Sequence, residues 1–269
     1  MAPPLCRWLI AAVILLTPTA ALADEPGVTR PYVDGFVTNG VRIATAPAHM
    51  QAADWWRNAL VVGAVGAAYL IDEDIRDSVQ RSRTRSFDKL SVHARALGDG
   101  LVLLPALGVN YLAGRALGSQ RGEETSLLGF ESMLLTGVLT QSLQILSHRH
   151  RPNENLGKDA FDGVGGPAKA DAFPSGHASN AFAVATIVAS EYADRPAIPV
   201  VAYSLASLVA WSRVNDDKHW TSDVLLGSAI GYGVGKLVFA SDPFLRRHNV
   251  AMTAAPVPGG AGIGLKAPF

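Results

Sequence analysis

Residues 173–223 read FPSGHASNAFAVATIVASEYADRPAIPVVAYSLASLVAWSRVNDDKHWTSD, and this stretch decides the fold. It opens with the turn Pro-Ser-Gly-His at 174–177 and closes with a polar run at 212–223. Nearly every residue between these ends is apolar or small, and the run is long enough for two helices. The polar side chains therefore gather where helices end, which predicts a functional site at one end of a helical bundle.

The turn that precedes the first of these helices has the composition of an anion site. We expect the helix to run from His177 to about Tyr192, and the free backbone N–H groups of a helix N-terminus bind anions. Ser175 can cap the helix or donate its hydroxyl to an oxyanion. Gly176 lets the backbone approach a ligand closely. We therefore expect the anion to be a phosphate group.

The second polar group supplies charge and a nucleophile. Arg213, together with Arg151 at the end of an upstream apolar segment, can present a planar fork of donors to phosphate oxygens. His219 and Asp223 are four residues apart, so in a helical turn they share one face and can hydrogen-bond. A carboxylate on one ring nitrogen would fix the tautomer and leave the other nitrogen free to attack. His177 could protonate the leaving oxygen.

These residues resemble the three-part signature of the phosphatidic acid phosphatase type 2 and vanadium haloperoxidase superfamily. The signature is Lys, six residues, Arg-Pro; then Pro-Ser-Gly-His; then Ser-Arg, five residues, His, three residues, Asp. The second and third parts are matched without a gap at 174–177 and 212–223. The first part is matched at Arg151-Pro152, but Gln144 occupies the position of the lysine. The resemblance covers roughly residues 139–226.

The resemblance implies a role for each matching position. His219 would form a phosphohistidine, Asp223 would orient it, and His177 would be the general acid. The phosphate would be bound by a set of donors, namely Arg151, Arg213, Ser175 and the amide of Gly176, with Gln144 in the place of the lysine. The family also implies an all-α fold, an antiparallel bundle of about six core helices, and hydrolysis of a phosphorylated lipid or small phosphate ester without a metal or other cofactor.

Gln144 is the departure from the family pattern. Its amide can donate a hydrogen bond but carries no charge, and exchanging a charge-assisted bond for a neutral one costs roughly 1–2 kcal/mol. That corresponds to about 5–30-fold in rate. We expect Arg149, two residues before Arg151, to supply part of the missing charge. Two alternatives stay open: a vanadate-dependent haloperoxidase that uses the same pocket, and a weakened phosphate-binding protein of the cell envelope.

The chain divides into three predicted parts. Residues 1–23 have Arg7, an apolar run and the small-residue ending Ala21-Leu22-Ala23, which are typical of a secretory signal peptide and predict export to a bacterial periplasm. Residues 24–248 form the helical domain, and 249–269 form a tail that is either a loose β-hairpin or disordered. The lone cysteine, Cys6, lies within the predicted signal peptide.

Within the helical domain the apolar periodicity predicts six core helices. An irregular lead-in is expected at 24–53, a solvated polar helix and loop at 72–97, and a loop at 153–172 that rims the site. We expect the histidine pair at 148 and 150 to lie on the surface and the aspartate pair at 216 and 217 to form a solvated turn. The core helices are expected at 54–71, 99–117, 126–147, 177–192, 196–212 and 222–240.

Charge and hydropathy limit the classes of partner that the chain is expected to have. The chain has 23 basic and 23 acidic residues, so nothing indicates a nucleic-acid partner. Several helices are apolar on nearly every face, which favours lipid or deep burial. Their charge-free stretches nevertheless fall short of the ~20 residues that span a bilayer. Soluble and membrane-associated forms both stay open, and Trp55-Trp56 is expected either at a membrane interface or packed on the bundle.

Overall fold

A computed structural model describes residues 29–241, 251–257 and 260–266 of the chain. The predicted signal peptide lies outside these residues. The described part consists mainly of α-helices, and it also contains a 3₁₀ turn at Pro152–Glu154. In chain order the elements are α1 Thr29–His49, α2 Ala52–Leu70, α3 Asp72–Ser82, α4 Arg85–Ala96, α5 Gly100–Leu117, α6 Gln120–Ser147, α7 Gly176–Glu191, α8 Ala197–Asn215, α9 Thr221–Ala240, β1 Ala251–Val257 and β2 Gly260–Lys266.

Six of these helices form the predicted antiparallel bundle. Helices α2, α6 and α8 end at one end of it, and α5, α7 and α9 begin there, so the polar turns of the chain meet at that end. Asp99 caps α5 by accepting a hydrogen bond from the amide of Leu101. Gly118, with a φ of 66°, ends α5, and Ser119 then caps α6. The all-α prediction is therefore confirmed, and α6 begins six residues before its predicted start at Ser126.

Helix α7 lies at the centre of the bundle and packs on α6, α8 and α9. Its contact with α9 depends on glycine. A Cβ atom on Gly227 would lie 2.5 Å from the carbonyl oxygen of Ser175, and one on Gly231 would lie closer still to that of Ser179. Any side chain at these positions would push the two backbones apart. The backbones of α7 and α9 therefore approach each other closely at both glycines.

The predicted irregular lead-in is wrong, because α1 occupies most of it. The isolated segment has weak helical propensity, since it contains Gly35, Gly40 and Pro47. Tertiary contacts stabilise it instead: Ile43 packs on the core cluster of Leu128, Ile187, Val234 and Val238. Asn39, which is buried, donates a hydrogen bond to Glu131 of α6 at 2.8 Å.

The polar segment at 72–97 forms two short helices at the site end of the bundle. Helix α4 begins after the capping residue Thr84 and packs on α8. Helix α3 begins with Asp72, whose side chain is fully buried rather than solvated. The prediction of a solvated segment is therefore wrong at its first residue, because Asp72 reaches into the bundle to meet a buried arginine.

Among the described residues, three helices, α5, α8 and α9, are long and apolar enough to cross a membrane, judged by length and composition only. Large apolar side chains stand exposed on the bundle, for example Leu101 and Leu117, whose exposed fractions are 81% and 82%. Trp55 and Trp56 are both more than half exposed, so they do not pack on the bundle. In the tail, β1 and β2 pair antiparallel, which confirms the hairpin alternative.

Candidate active site

The turn before α7 is held from two sides. Gln144 Nε2, near the end of α6, donates to the carbonyl oxygen of Pro174 at 2.9 Å, and Ser147 Oγ donates to that of Phe173 at 2.9 Å. The amide of Ser175 donates to the carbonyl oxygen of Asp223 at 3.0 Å. The turn is therefore fixed to the last turn of α6 and to the first turn of α9.

The first residues of α7 present donors to a ligand. Ser175 is the N-cap residue and is fully buried, yet its hydroxyl makes no hydrogen bond within the part of the chain that the structure describes. Gly176 begins the helix, and a Cβ atom there would lie 4.0 Å from Nε2 of Gln144. The structure thus places Gln144 beside the predicted anion cradle, where it also supports the turn. A buried hydroxyl without a partner fits a ligand oxygen.

His219 is buried in the turn between α8 and α9. Its Nδ1 donates to the carbonyl oxygen of Ala172 at 2.7 Å, which leaves Nε2 as the basic ring nitrogen. Oδ2 of Asp223 lies 3.9 Å from Nδ1, beyond a hydrogen bond. The expected hydrogen bond between His219 and Asp223 is therefore absent, because Asp223 accepts from the amide of Trp220 at 2.7 Å and from Arg149 at 2.5 Å.

The two arginines of the motif differ in their surroundings. Arg151 forms a two-pronged ion pair with Asp171, at 2.7 and 2.9 Å, and its side chain is about one-third exposed. Arg213 is buried and pairs with Asp216, while its Nε makes no hydrogen bond to any described residue. Both guanidinium groups can therefore donate to an anion, Arg213 with a free donor and Arg151 by sharing its fork with Asp171.

Burial and positive charge act on both histidines. Burial, followed by the charge of Arg213, lowers the pKa of His177 to about 4. Burial, followed by the charge of Arg151, lowers the pKa of His219 well below its usual value. Both imidazoles are thus neutral at pH 7. Arg151 and Arg213 act on each ring in the same direction, because the positive charge of each arginine lowers the pKa of both histidines.

Arg149 does not supply charge to the anion cradle, so that expectation is wrong. Its side chain is fully buried and is engaged by Asp72 and Asp223, with which it forms ion pairs at 2.9 and 2.5 Å. Its guanidinium also lies among the rings of Tyr69, Phe161, Phe173 and Trp220. The charge that Gln144 lacks is therefore not replaced by this arginine.

The aspartate pair at 216 and 217 is not a solvated turn. Asp216 accepts from Arg213 and from the hydroxyl of Ser91, the latter at 2.5 Å. Asp217 accepts two hydrogen bonds from Arg76 of α3, both at 2.7 Å. These pairs tie the turn that carries His219 to α3 and α4.

The histidines at 148 and 150 are buried rather than on the surface. His148 Nδ1 lies 2.7 Å from the carbonyl oxygen of Gly163. His150 lies between two carboxylates, 2.5 Å from Glu154 and 2.8 Å from Asp162, and the hydrogen bond that its ring donates to Glu154 raises its pKa. Both side chains shape the loop at 153–172, which is therefore an ordered rim of the site.

Sequence reasoning missed three groups that act on the site residues, namely Asp72, Asp171 and the carbonyl of Ala172. Asp72 and Asp171 stand in segments whose composition is that of ordinary polar loops and surface helices. A main-chain carbonyl has no sequence signal at all. No pattern in the motif segments points to these partners.

Fold and site together define a helical-bundle protein that can bind a phosphate-type anion beside a buried, neutral histidine. Residues 127–247 match the family model described as the PAP2 superfamily, and this part of the chain belongs to that superfamily. The resemblance drawn from the three motifs is thereby confirmed.

Named relatives show similarity over shorter stretches. Lipid A 1-phosphatase of Porphyromonas gingivalis is 44% identical over 89 residues, which cover 31% of this chain and 19% of that protein. Lipid A 4'-phosphatase of Helicobacter pylori is 44% identical over 64 residues, or 24% of this chain and 31% of that protein. The chain spans less than half the length of the curated relatives it matches. The crystal structure of Aquifex aeolicus LpxE shares the fold, with a TM-score of 0.50 at 23% identity over 62% of this chain and 93% of that chain.

Proposed function

We propose that this protein is a metal-independent phosphatase that removes phosphomonoester or diphosphate groups from lipids through a phosphohistidine on His219. The observation that carries the proposal is the pair of buried donors, Ser175 Oγ and Arg213 Nε, that make no hydrogen bond to any described residue at the end of the bundle where His219 is neutral. Buried donors of this kind are stabilised by an anion. Small soluble phosphate esters are the alternative class of substrate.

The proposed reaction has two steps. Nε2 of His219 attacks phosphorus and forms the N–P bond, while the bond from phosphorus to the leaving oxygen breaks and His177 donates a proton to that oxygen. Water then attacks the phosphorus atom of the phosphohistidine and passes a proton to His177, the N–P bond breaks to free Nε2, and inorganic phosphate leaves. Ser175, Arg151, Arg213 and the amide of Gly176 hold the phosphoryl oxygens in both steps.

The low pKa of His177 fits this scheme when the charge of the substrate is included. In the free protein the ring is neutral, because burial and Arg213 oppose its protonation. A phosphate dianion beside it offsets the positive charge of the arginines and favours the protonated ring. His177 therefore becomes protonated when the substrate binds, so it can donate a proton only while substrate occupies the site.

Three observations support a lipid substrate and membrane association. The two named bacterial relatives are phosphatases of lipid A. Helices α5, α8 and α9 could span a bilayer, and large apolar side chains are exposed on the bundle. We propose that the catalytic end faces the bacterial periplasm, as the predicted signal peptide also indicates.

The test is release of phosphate by the purified protein, with EDTA present, from a panel of lipid and soluble phosphates. Release from a lipid phosphate that His219→Ala abolishes would support the proposal, and release that His219→Ala leaves intact would falsify it. If neither the native protein nor Gln144→Lys releases phosphate while folded, vanadate loading followed by a peroxide-dependent halogenation assay separates the haloperoxidase from a binding protein.

A further inference from the structure

Arg149 is a buried cation that the proposed reaction does not use. Its Nη2 donates to Asp72 at 2.9 Å, and its Nη1 donates to Asp223 at 2.5 Å. Nη1 also donates to the hydroxyl of Ser222 at 2.8 Å, and Nη2 and Nε donate to the carbonyl oxygen of Lys158 at 3.0 and 3.1 Å. All five N–H donors of the guanidinium are therefore engaged.

Asp72 binds the first turn of α9 from another helix. One of its oxygens accepts from the amide of Ser222 at 2.9 Å, and the other accepts from the hydroxyl of Ser222 at 2.5 Å and from Arg149. Ser222 is the second residue of α9, three residues after His219. Asp72 thus caps the helix that follows the proposed nucleophile, although it lies 150 residues away in the sequence.

Four aromatic rings surround the guanidinium of Arg149. The centroids of Tyr69, Phe161, Trp220 and Phe173 lie 4.9, 5.1, 5.4 and 6.0 Å from its central carbon. The side chains of Arg149, Asp72 and Asp223 are fully buried. Charges in such a water-poor setting act on one another more strongly than charges on the surface do.

We propose that Asp72 and Arg149 are positioning residues for His219, acting through Asp223 and the first turn of α9. The inference rests on the proposed function, in which His219 is the nucleophile. Arg149 and Asp72 together fix Asp223 and the first turn of α9, so that Oδ2 of Asp223 lies 3.9 Å from Nδ1 of His219. These contacts hold the turn that carries His219, and with it Nε2, in place for attack on phosphorus.

Asp72→Asn tests the proposal, since it keeps the shape of the side chain and removes its charge. We expect kcat to fall about tenfold, as it does when outer partners of other catalytic sites are removed, with KM unchanged. The acid limb of kcat/KM should shift, because removing the charge of Asp72 changes the electrostatic surroundings of Asp223 and of the ring beside it. Both proteins are assayed with the same substrate, so that ionisation of the substrate cannot account for a difference between their pH profiles.

Asp194→Asn is the matched control. Asp194 forms an exposed ion pair with Arg121 at the opposite end of the bundle, so its loss removes an equal charge without touching the site. We expect its kcat and its pH profile to equal those of the native protein. Unchanged kcat and an unchanged limb in Asp72→Asn would overturn the proposal, and so would a fall in kcat without any shift of the limb.

Two further measurements keep the test decisive. If Asp72→Asn does not fold, Arg149→Lys keeps the charge but cannot bridge both carboxylates, and a folded variant with native kcat would overturn the proposal. Failure of both variants to fold would show that the pair of Asp72 and Arg149 has a purely structural role.

If the native protein releases no phosphate, the proposed function fails separately. The positioning role is then judged by ¹⁵N NMR of His219, whose titration must shift in Asp72→Asn; an unmoved titration overturns it.

Discussion

His219 donates the hydrogen on Nδ1 to the carbonyl oxygen of Ala172 at 2.7 Å. A main-chain carbonyl does not titrate, so it holds the tautomer with a free Nε2 wherever the ring is neutral. Asp223, at 3.9 Å, acts on the ring through the backbone rather than by a direct bond. The proposed nucleophile is therefore oriented by the loop that rims the site.

This arrangement predicts that Asp223→Asn is damaged but active. Sites in which a carboxylate sets the tautomer lose about 10⁴-fold in kcat on the same change. Here Ala172 keeps the tautomer, so we expect a loss on the order of 10²-fold, from positioning alone. Steady-state assays beside His219→Ala measure the difference. A variant of Asp223 as inactive as His219→Ala would show that the carboxylate orients the ring after all.

Gln144→Lys should raise the rate. The lysine would bring a positive charge to the position beside Gly176 and can keep the hydrogen bond to the carbonyl of Pro174. We expect kcat/KM to rise about 5–30-fold, the value of a charge-assisted bond over a neutral one. Gln141→Lys adds the same charge one turn earlier on an exposed part of α6 and serves as the control. Equal rates in the native protein and Gln144→Lys would show that this position does not contact the phosphate.

The stability of the fold should fall at acidic pH through His177. Burial lowers its pKa to about 4, whereas in the unfolded chain the ring titrates near its ordinary value of 6.5. Between these values the unfolded state binds more protons, so the free energy of unfolding is full above about pH 6.5 and declines towards pH 4. The decline amounts to about 3 kcal/mol.

Equilibrium unfolding across this pH range compares the native protein with His177→Gln. The variant should lose less stability on acidification, while His93→Gln, at an exposed position of α4, should follow the native protein. Parallel pH curves for the native protein and His177→Gln would contradict the assignment. His219 contributes with the same sign, so part of the decline should remain in the variant.

The two ends of the bundle should differ in their access to a reagent in the periplasm. Val164 is 78% exposed on the loop at the site end, and Leu117 is 82% exposed at the opposite end of α5. We expect Val164→Cys, in a Cys6→Ser background, to react with a membrane-impermeant maleimide in intact cells. If the bundle spans the inner membrane, Leu117→Cys should react only after lysis; reaction of both indicates a bundle wholly in the periplasm. A Val164→Cys protein protected in intact cells would refute the periplasmic site.

Glycine substitutions on α9 should separate the effect of packing against α7 from the effect of intrinsic helix propensity. A Cβ atom on Gly231 would meet the backbone of Ser179, so Gly231→Ala should cost about 1–3 kcal/mol of stability. Gly233 faces open space on the same helix, and Gly233→Ala should stabilise the helix by up to about 1 kcal/mol. Thermal unfolding of the two variants is the measurement. Equal effects would mean that α7 and α9 are not packed as described.

The core helices were predictable because each is an apolar run with a polar residue or a turn at its end. Helix α1 was not, since its helical state depends on the contacts of Asn39 and Ile43 with distant residues. The motif spacing located both histidines and both arginines of the site. It could not give the partner of His219, because Ala172 reaches the ring only through the path of a long loop. Arg149 was misassigned because its direction is set by Asp72, far away in the sequence.

The glycine contact between α7 and α9 has a consequence for the spacing of the site. Because the two helices touch backbone to backbone, the separation between the amides at the start of α7 and the turn that carries His219 is a main-chain dimension. Side chains elsewhere in the bundle can change rotamer or identity without altering it. The distance that a phosphoryl group must bridge is thus set by the main chain of the two helices, and the rest of the chain cannot change it.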